Sequence, residues 1–303
     1  MKRIGAFALA LLCAASLTGC QSRPADASRS TDASPSSQSS SSPLPQSSQP
    51  EVLAVLDHFR IVDGAQSGRL VLAGEGENDV LTLDVENIPV FLDGKEADPS
   101  VLEDGMMAQI SHSGDILETW PAQFGSVSSI RVYSQGSAEN PAGTTYDLCG
   151  LYLKVLSDLW SADAGLNDGV EYISVDLSQA PGDLTEGEKA AIAWIFAGQH
   201  GAQPLTLSYG ELAAEGYLDE ISLGGEDSSM TAGNKLYQWE DGLLFIIAAT
   251  EPQEEETYSL PVVNFDAHKW RTPLGTYYFF DCTAVWPQLG SWSGYEVGSE
   301  MIS

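Results

Sequence analysis

Apolar residues along this chain follow three different spacings, and each marks a different kind of segment. Across the stretch 52–136 they come in short runs, at 53–56, 69–72, 80–83, 106–110, 116–120 and 127–133. Gly, Asn and Asp separate the runs, which is the pattern of β-strands joined by turns. Ser113-Gly114-Asp115 reads as a hairpin turn. Pro121 closes the strand before it, because proline has no N–H to give to a ladder. Five or so strands in roughly 85 residues predict a small β-barrel-like, OB-like domain over 51–136.

Residues 137–144 contain Pro and Gly and read as an interdomain linker. After it the spacing changes. Leu148, Leu151, Tyr152, Val155, Leu156 and Leu159 recur at helical intervals, behind Thr144 and Asp147 at the separation of a capping box. Cys149, Leu153 and Trp160 widen the apolar face, so this helix is expected to be deeply buried, with Gly165 following its end. Thr185 and Glu188 open a second helix, closed before Gly201; Ser208 and Glu211 open a short third one that stops at Gly216. Strands are expected at 170–176, 242–250, 259–266 and 274–286. On the last, Tyr278, Phe280, Cys282, Ala284 and Trp286 alternate with Tyr277, Phe279, Asp281, Thr283 and Val285, so each set is expected to share a face. Residues 145–303 are therefore predicted to be an α+β domain with helices packed on an antiparallel sheet. The whole is α+β, and the break at 137–144 predicts two halves that fold separately.

The third spacing lies at the start. Met1-Lys2-Arg3 precedes an unbroken apolar run over 4–15, then Leu17-Thr18-Gly19-Cys20. A positive region and a short hydrophobic core make a secretory signal; the run falls short of the roughly 20 apolar residues of a membrane-spanning helix. Its end resembles the bacterial lipobox, which implies cleavage after Gly19 and thioether lipidation of Cys20. Residues 1–19 are then a signal peptide that takes Cys13 with it. Residues 20–50 are the lipidated cysteine and a Ser/Pro-rich tether with too few apolar side chains to offset the entropy of ordering. A flexible chain of that length spans roughly 30 Å. The expected location is the outer face of a cell membrane.

Charge narrows the partners. The chain has 13 basic and 43 acidic residues and a net charge of −30. Nucleic-acid recognition starts from a basic patch and is excluded as an expectation, as is electrostatic docking on anionic lipid. Membrane attachment then rests on the lipid anchor, and an envelope protein or a glycan remains as a partner; nothing in the sequence fixes an oligomeric state. The acidic surface also serves solubility. Cys149 and Cys282 remain after processing and allow one disulfide in an exported protein. They are expected close in space whether bonded or not, and a bond would close a loop of about 130 residues, stabilising by roughly 4–5 kcal/mol.

Catalytic and cofactor signatures are absent from the sequence: H-E-x-x-H, the P-loop, G-x-G-x-x-G and G-x-S-x-G. No metal and no cofactor is implied. The stretch 163–169 glances at an EF-hand loop, but Gly165 stands where a ligand is needed. Lys269 and Arg271, in His268-Lys269-Trp270-Arg271, form a candidate anion site in an acidic protein. The alternative, which the pattern favours, is that they neutralise nearby acids. Trp286, Trp292 and Tyr295 form a candidate sugar-binding cluster, against the alternative of core packing. A glycosidase needs two carboxylates facing each other across a cleft, and sequence selects no pair. The expected function is a non-enzymatic binding, sensing or interaction module; the alternative is a surface carbohydrate-binding protein or hydrolase.

Two stretches carry resemblances. Leu102-Glu103-Asp104-Gly105-Met106 with Gly114-Asp115-Ile116-Leu117-Glu118-Thr119-Trp120-Pro121-Ala122 is similar to a small YobA-like β-domain of uncharacterised Gram-positive lipoproteins. Asp147-Leu148-Cys149-Gly150-Leu151-Tyr152, Asp158-Leu159-Trp160, Val175-Asp176-Leu177-Ser178, the stretch 264–271, Asp281-Cys282-Thr283-Ala284 and the ending 297–303 resemble a domain of uncharacterised lipoproteins of gut Firmicutes and Clostridia. These resemblances imply relatedness and carry no activity.

Overall fold

The computed structural model describes residues 54–134, 137, 147–221, 235–251, 262–285 and 294–303. The lipobox cysteine, the tether and most of the linker lie outside them.

Nine strands build the first sheet: β1 (Val55–Asp63), β2 (Arg69–Ala73), β3 (Val80–Asp84), β4 (Val90–Leu92), β5 (Lys95–Ala97), β6 (Met107–His112), β7 (Ile116–Leu117), β8 (Ala122–Phe124) and β9 (Val127–Val132). Their order is β5-β4-β9-β6-β1-β2-β3-β8-β7, with β3–β8 and β4–β9 parallel and the other pairs antiparallel. Where the sequence predicts a small barrel-like domain, the described strands form an open mixed sheet. One face gathers Ile61, Leu70, Leu72, Leu81, Ile110 and Ile130 into a single core. The opposite face of its middle strands is apolar too. Val62, Val71, Ala73 and Val80 are buried in a second core, shared with the C-terminal half. A strand buried on both sides reads as an unbroken apolar run rather than an alternating one, and Leu70-Val71-Leu72-Ala73 is such a run.

The C-terminal half contains α1 (Leu148–Ser161), β10 (Tyr172–Gln179), α2 (Glu186–Gln199), β11 (Gln203–Leu205), α3 (Tyr209–Glu215), β12 (Asp219–Ile221), β13 (Leu236–Gln238), β14 (Gly242–Ala249), β15 (Val262–Thr272), β16 (Gly275–Val285) and β17 (Ser299–Ile302). Its main sheet has the order β11-β10-β14-β15-β16-β17. The expectation of an antiparallel sheet is corrected here, because β10 runs parallel to both β11 and β14. Adjacent parallel strands need a long crossover, and α2 is the crossover from β10 to β11. Strands β12 and β13 pair separately.

Helices α1 and α2 lie between the two sheets. Each packs on the other; α2 also touches β1, β2 and β3 on one side and β10 and β11 on the other. A helix that is apolar all round must be covered all round. Ala190, Ala191, Ile192, Ala193, Ile195 and Phe196 of α2 are all buried. This shared layer joins two halves that the sequence reading separates.

The caps explain where the helices begin. Thr185 and Glu188 exchange both bonds of a capping box at α2, as do Ser208 and Glu211 at α3, which ends on Gly216 in the left-handed region at φ 84°. Helix α1 differs from expectation: Asp147 is itself the N-cap, accepting from the Gly150 amide at 3.3 Å.

One expectation about β16 fails for a local reason. Asp281 takes a left-handed φ of 53°, and the register with β15 slips there, from Phe265↔Cys282 to Ala267↔Phe279. One extra residue in a strand reverses the facing of everything beyond it. Phe279 therefore joins Cys282 and Ala284 in the core, while Tyr278 and Phe280 stack on each other at 5.1 Å.

Candidate functional site

A cleft of about 330 Å³ opens where the two halves meet. One wall comes from the β2–β3 loop and the turn before β8, which supply Glu77, Asn78 and Trp120. The floor is α2, with Ala190 and Ala193 one turn apart. The other wall is the segment 204–207 running out of β11, together with Glu215 and Tyr217 at the end of α3.

Each wall is held by bonds that can be named. The loop 74–79 closes on itself through Gly74 N to Asp79 O (2.8 Å), Asp79 N to Gly76 O (2.9 Å) and Gly76 N to Asp79 Oδ2 (2.8 Å). It rests on the start of α2, where the Thr185 hydroxyl donates to Gly74 O at 2.6 Å. Gly187 is required at that contact, since a Cβ there would lie 2.4 Å from Gly74 O. Trp120 sits within a turn in which the Thr119 hydroxyl donates to Pro121 O at 2.7 Å. It is 49% exposed, an unusual state for so large an apolar group. Tyr217 stands edge-on to Tyr172 at 5.8 Å and to the buried Trp239 at 6.1 Å. Glu215 is the last residue of α3, where the helix dipole disfavours a negative charge. Neither the Glu77 nor the Glu215 carboxylate makes a hydrogen bond or ion pair among the described residues, and none of the residues lining the cleft is Lys, Arg or His.

Beside the cleft, the two halves are clasped by charged groups. Arg60 on β1 donates Nε to Glu188 Oε1 at 2.6 Å and Nη1 to Gly105 O at 2.8 Å. The other oxygen of Glu188 accepts from Thr185 N at 2.9 Å. Asp147 sits against Gly105, where a Cβ would approach its carboxyl carbon to 2.6 Å. Burial pushes the Asp147 carboxyl up to about 6; Asp104 and Glu188 repel its charge, while the Gly150 amide and Arg60 oppose the shift.

The cations predicted to bind an anion are occupied by the protein itself. The Lys269 side chain is fully buried. Its Nζ donates to Trp160 O at 3.3 Å, to Asp163 O at 3.0 Å, to Asn167 Oδ1 at 3.1 Å and also to Ala162 O. Arg271 gives Nη1 to Leu166 O and Asp168 O, both at 2.7 Å, Nε to Trp239 O at 3.3 Å and Nη2 to Glu240 O. Both cations are engaged within the protein rather than left for an external anion, and the Asp163 charge also favours the Lys269 ammonium. They satisfy the carbonyls at the end of α1 and of the short turn after it, groups that a helix end leaves bare. The stretch that glances at a calcium loop does gather oxygens around a cation, and that cation is Lys269. Burial pushes the Lys269 ammonium down to about 8.

Tyr295, from the predicted sugar-binding cluster, packs against Phe265 with centroids 5.7 Å apart, and its hydroxyl donates to Asp158 Oδ2 at 3.1 Å. It serves the core. Trp286 and Trp292 lie outside the described residues. Cys149 and Cys282 are both buried in the core between the sheets and both are free thiols; burial pushes both up, Cys282 to about 12. Among the described residues, no three His, Cys, Asp or Glu side chains gather as a metal site, and no helix is long and apolar enough to cross a membrane.

The cleft itself was missed by sequence reasoning. Its residues come from five separate stretches, and Trp120 reads in the sequence only as the last residue of the apolar run 116–120. Comparison with known proteins yields no matching family model and no matching curated protein.

Proposed function

We propose that this chain is a lipid-anchored protein of the outer membrane face whose folded part is a non-enzymatic binding module, with the cleft over α2 as its ligand site. The cleft carries this reading. It combines an exposed tryptophan, a half-buried tyrosine and two unpaired carboxylates in a concave site, the mix of apolar wall and few polar groups that small-ligand sites use. Attachment rests on the Cys20 lipobox, and the tether holds the module away from the membrane. The first sheet is read as an incompletely closed, OB-like barrel, and the chain as a relative of the uncharacterised lipoproteins it resembles.

A hydrolase acting on surface carbohydrate is the second reading. It is favoured by one observation, that two carboxylates from separate stretches of the chain, Glu77 and Glu215, line one cleft. A ligand screen separates the two. Sugars, amines and short peptides are added to the purified full chain and to its Ala190→Leu variant, which narrows the floor. Binding without product formation, weakened in Ala190→Leu, supports the module. Turnover of an oligosaccharide that is lost in both Glu77→Gln and Glu215→Gln supports the hydrolase. Binding that ignores Ala190→Leu refutes the assignment of the cleft.

A further inference from the structure

We infer that the cleft takes an organic cation, a ligand whose ammonium group lies between Trp120, Tyr217 and the carboxylates of Glu77 and Glu215. The inference rests on the cleft being the ligand site, and it adds the chemistry of the ligand.

Three features point to a positive group. First, the charge in the cleft has one sign. Glu77 and Glu215 line it, no basic side chain does, and neither carboxylate is engaged by another described residue. The whole molecule, at net charge −30, adds to the same potential. Second, the aromatic pair is suited to a cation. The faces of Trp and Tyr are electron-rich, and quaternary ammonium groups are commonly held by such rings. Tyr217 is braced by Tyr172 and Trp239, so this ring is fixed in advance. Third, Glu215 stands at the end of α3 where a positive residue would suit the helix better. A residue that breaks a local preference without helping its own element is a sign of a site.

Of the remaining lining, only Asn78 and Thr206 carry side chains that can bond a sugar hydroxyl. Ala190, Ala193, Pro204, Leu205 and Leu207 offer an apolar surface. Their side chains have no partner for a ring of hydroxyls, each of which must replace its bonds to water. Methyl or alkyl groups on nitrogen lose nothing there.

The test is isothermal titration of the full chain with choline chloride and n-butylammonium chloride. Controls are maltotriose and the uncharged isostere of choline, in which tert-butyl replaces trimethylammonium. At least one of the two cations is expected to bind saturably, with the isostere about tenfold weaker or worse. Trp120→Ala should weaken cation binding about tenfold, and Glu77→Gln and Glu215→Gln should each weaken it about threefold to tenfold. All three positions are exposed, and a thermal melt verifies that each variant stays folded. Rising salt should weaken the cation and leave the isostere unchanged. Equal binding of choline and its isostere overturns the inference, as does indifference to both Gln variants, or binding by neither cation. If maltotriose alone binds, and loses affinity in Trp120→Ala, the cation is wrong while the cleft stands as the site. If Trp120→Ala and Ala190→Leu leave every detected ligand unaffected, the cleft itself is wrong.

Discussion

Asp147→Asn isolates the energetics of the contact between the two halves. The carboxyl is buried where the start of α1 meets Gly105 of the first sheet, and burial raises its pKa from 3.8 to about 6. A group whose folded pKa lies above its unfolded one favours the native state while it is protonated. That contribution is complete below pH about 4 and disappears as pH rises through about 6. A shift of about two units corresponds to about 3 kcal/mol. Asparagine caps a helix as well as aspartate does, so the bond from the Gly150 amide survives while the ionisation is removed. Asp147→Asn should therefore match the parent chain at pH 4 and exceed it by about 3 kcal/mol at pH 7.5. Urea denaturation of both full-length proteins at four pH values across this window measures the difference. The repulsion of Asp147 by Asp104 and Glu188 disappears with its charge and is part of the measured difference, while the long-range repulsion of an acidic chain is largely common to both proteins. Parallel stability curves from pH 4 to 7.5 would refute the argument and place the Asp147 carboxylate in contact with water.

Further tests probe the anchor and the packing. Cys20→Ala should yield an unlipidated precursor that no longer partitions into detergent; continued metabolic lipid labelling would refute anchoring at that residue. Gly187→Ala places a Cβ 2.4 Å from Gly74 O and should lower stability by about 1–3 kcal/mol, with hydrogen exchange increasing in the loop 74–79; an unchanged exchange pattern there counts against the loop being seated on α2. Lys269→Met keeps the stem and strips the ammonium from four oxygens, and should cost about 3 kcal/mol by thermal or chemical denaturation; a neutral result would mean that water serves those oxygens.

Much of the fold is local information and was legible as such. Capping boxes at Thr185 and Ser208 announce α2 and α3, and short β-rich runs announce most of the first sheet. The features that escaped are those set by distant partners. Strand β10 is parallel to β11 and β14 only because α2 is held as a crossover between two sheets, and its apolar run would suit either orientation. The slip at Asp281 depends on one left-handed residue that a hydrophobic pattern passes over as an ordinary polar position. His268-Lys269-Trp270-Arg271 offered a candidate anion site, yet β15 extends through it and carries Lys269 and Arg271 inward to carbonyls some 100 residues earlier. Apolar character without a period did reveal one tertiary fact in retrospect: α2 is hydrophobic on every side because it has a sheet on each.

The inward-facing Lys269 and Arg271 also shape how the molecule meets its surroundings. Residues 51–303 hold nine basic side chains against 41 acidic ones. Lys269 is closed inside, Arg271 is spent on carbonyls, and Arg60 is clasped between the halves. Of the basic groups left outside, Arg69, Lys154, Lys189 and Lys235 already sit beside Asp84, Asp158, Glu186 and Glu220. To a neighbour the exterior is thus a polyanion with its own counterion atmosphere. Two copies approaching one another compress those atmospheres, and the resulting osmotic pressure keeps them apart at low ionic strength. At physiological salt the repulsion reaches only about 8 Å, so crowding among such molecules is governed by the ions between them.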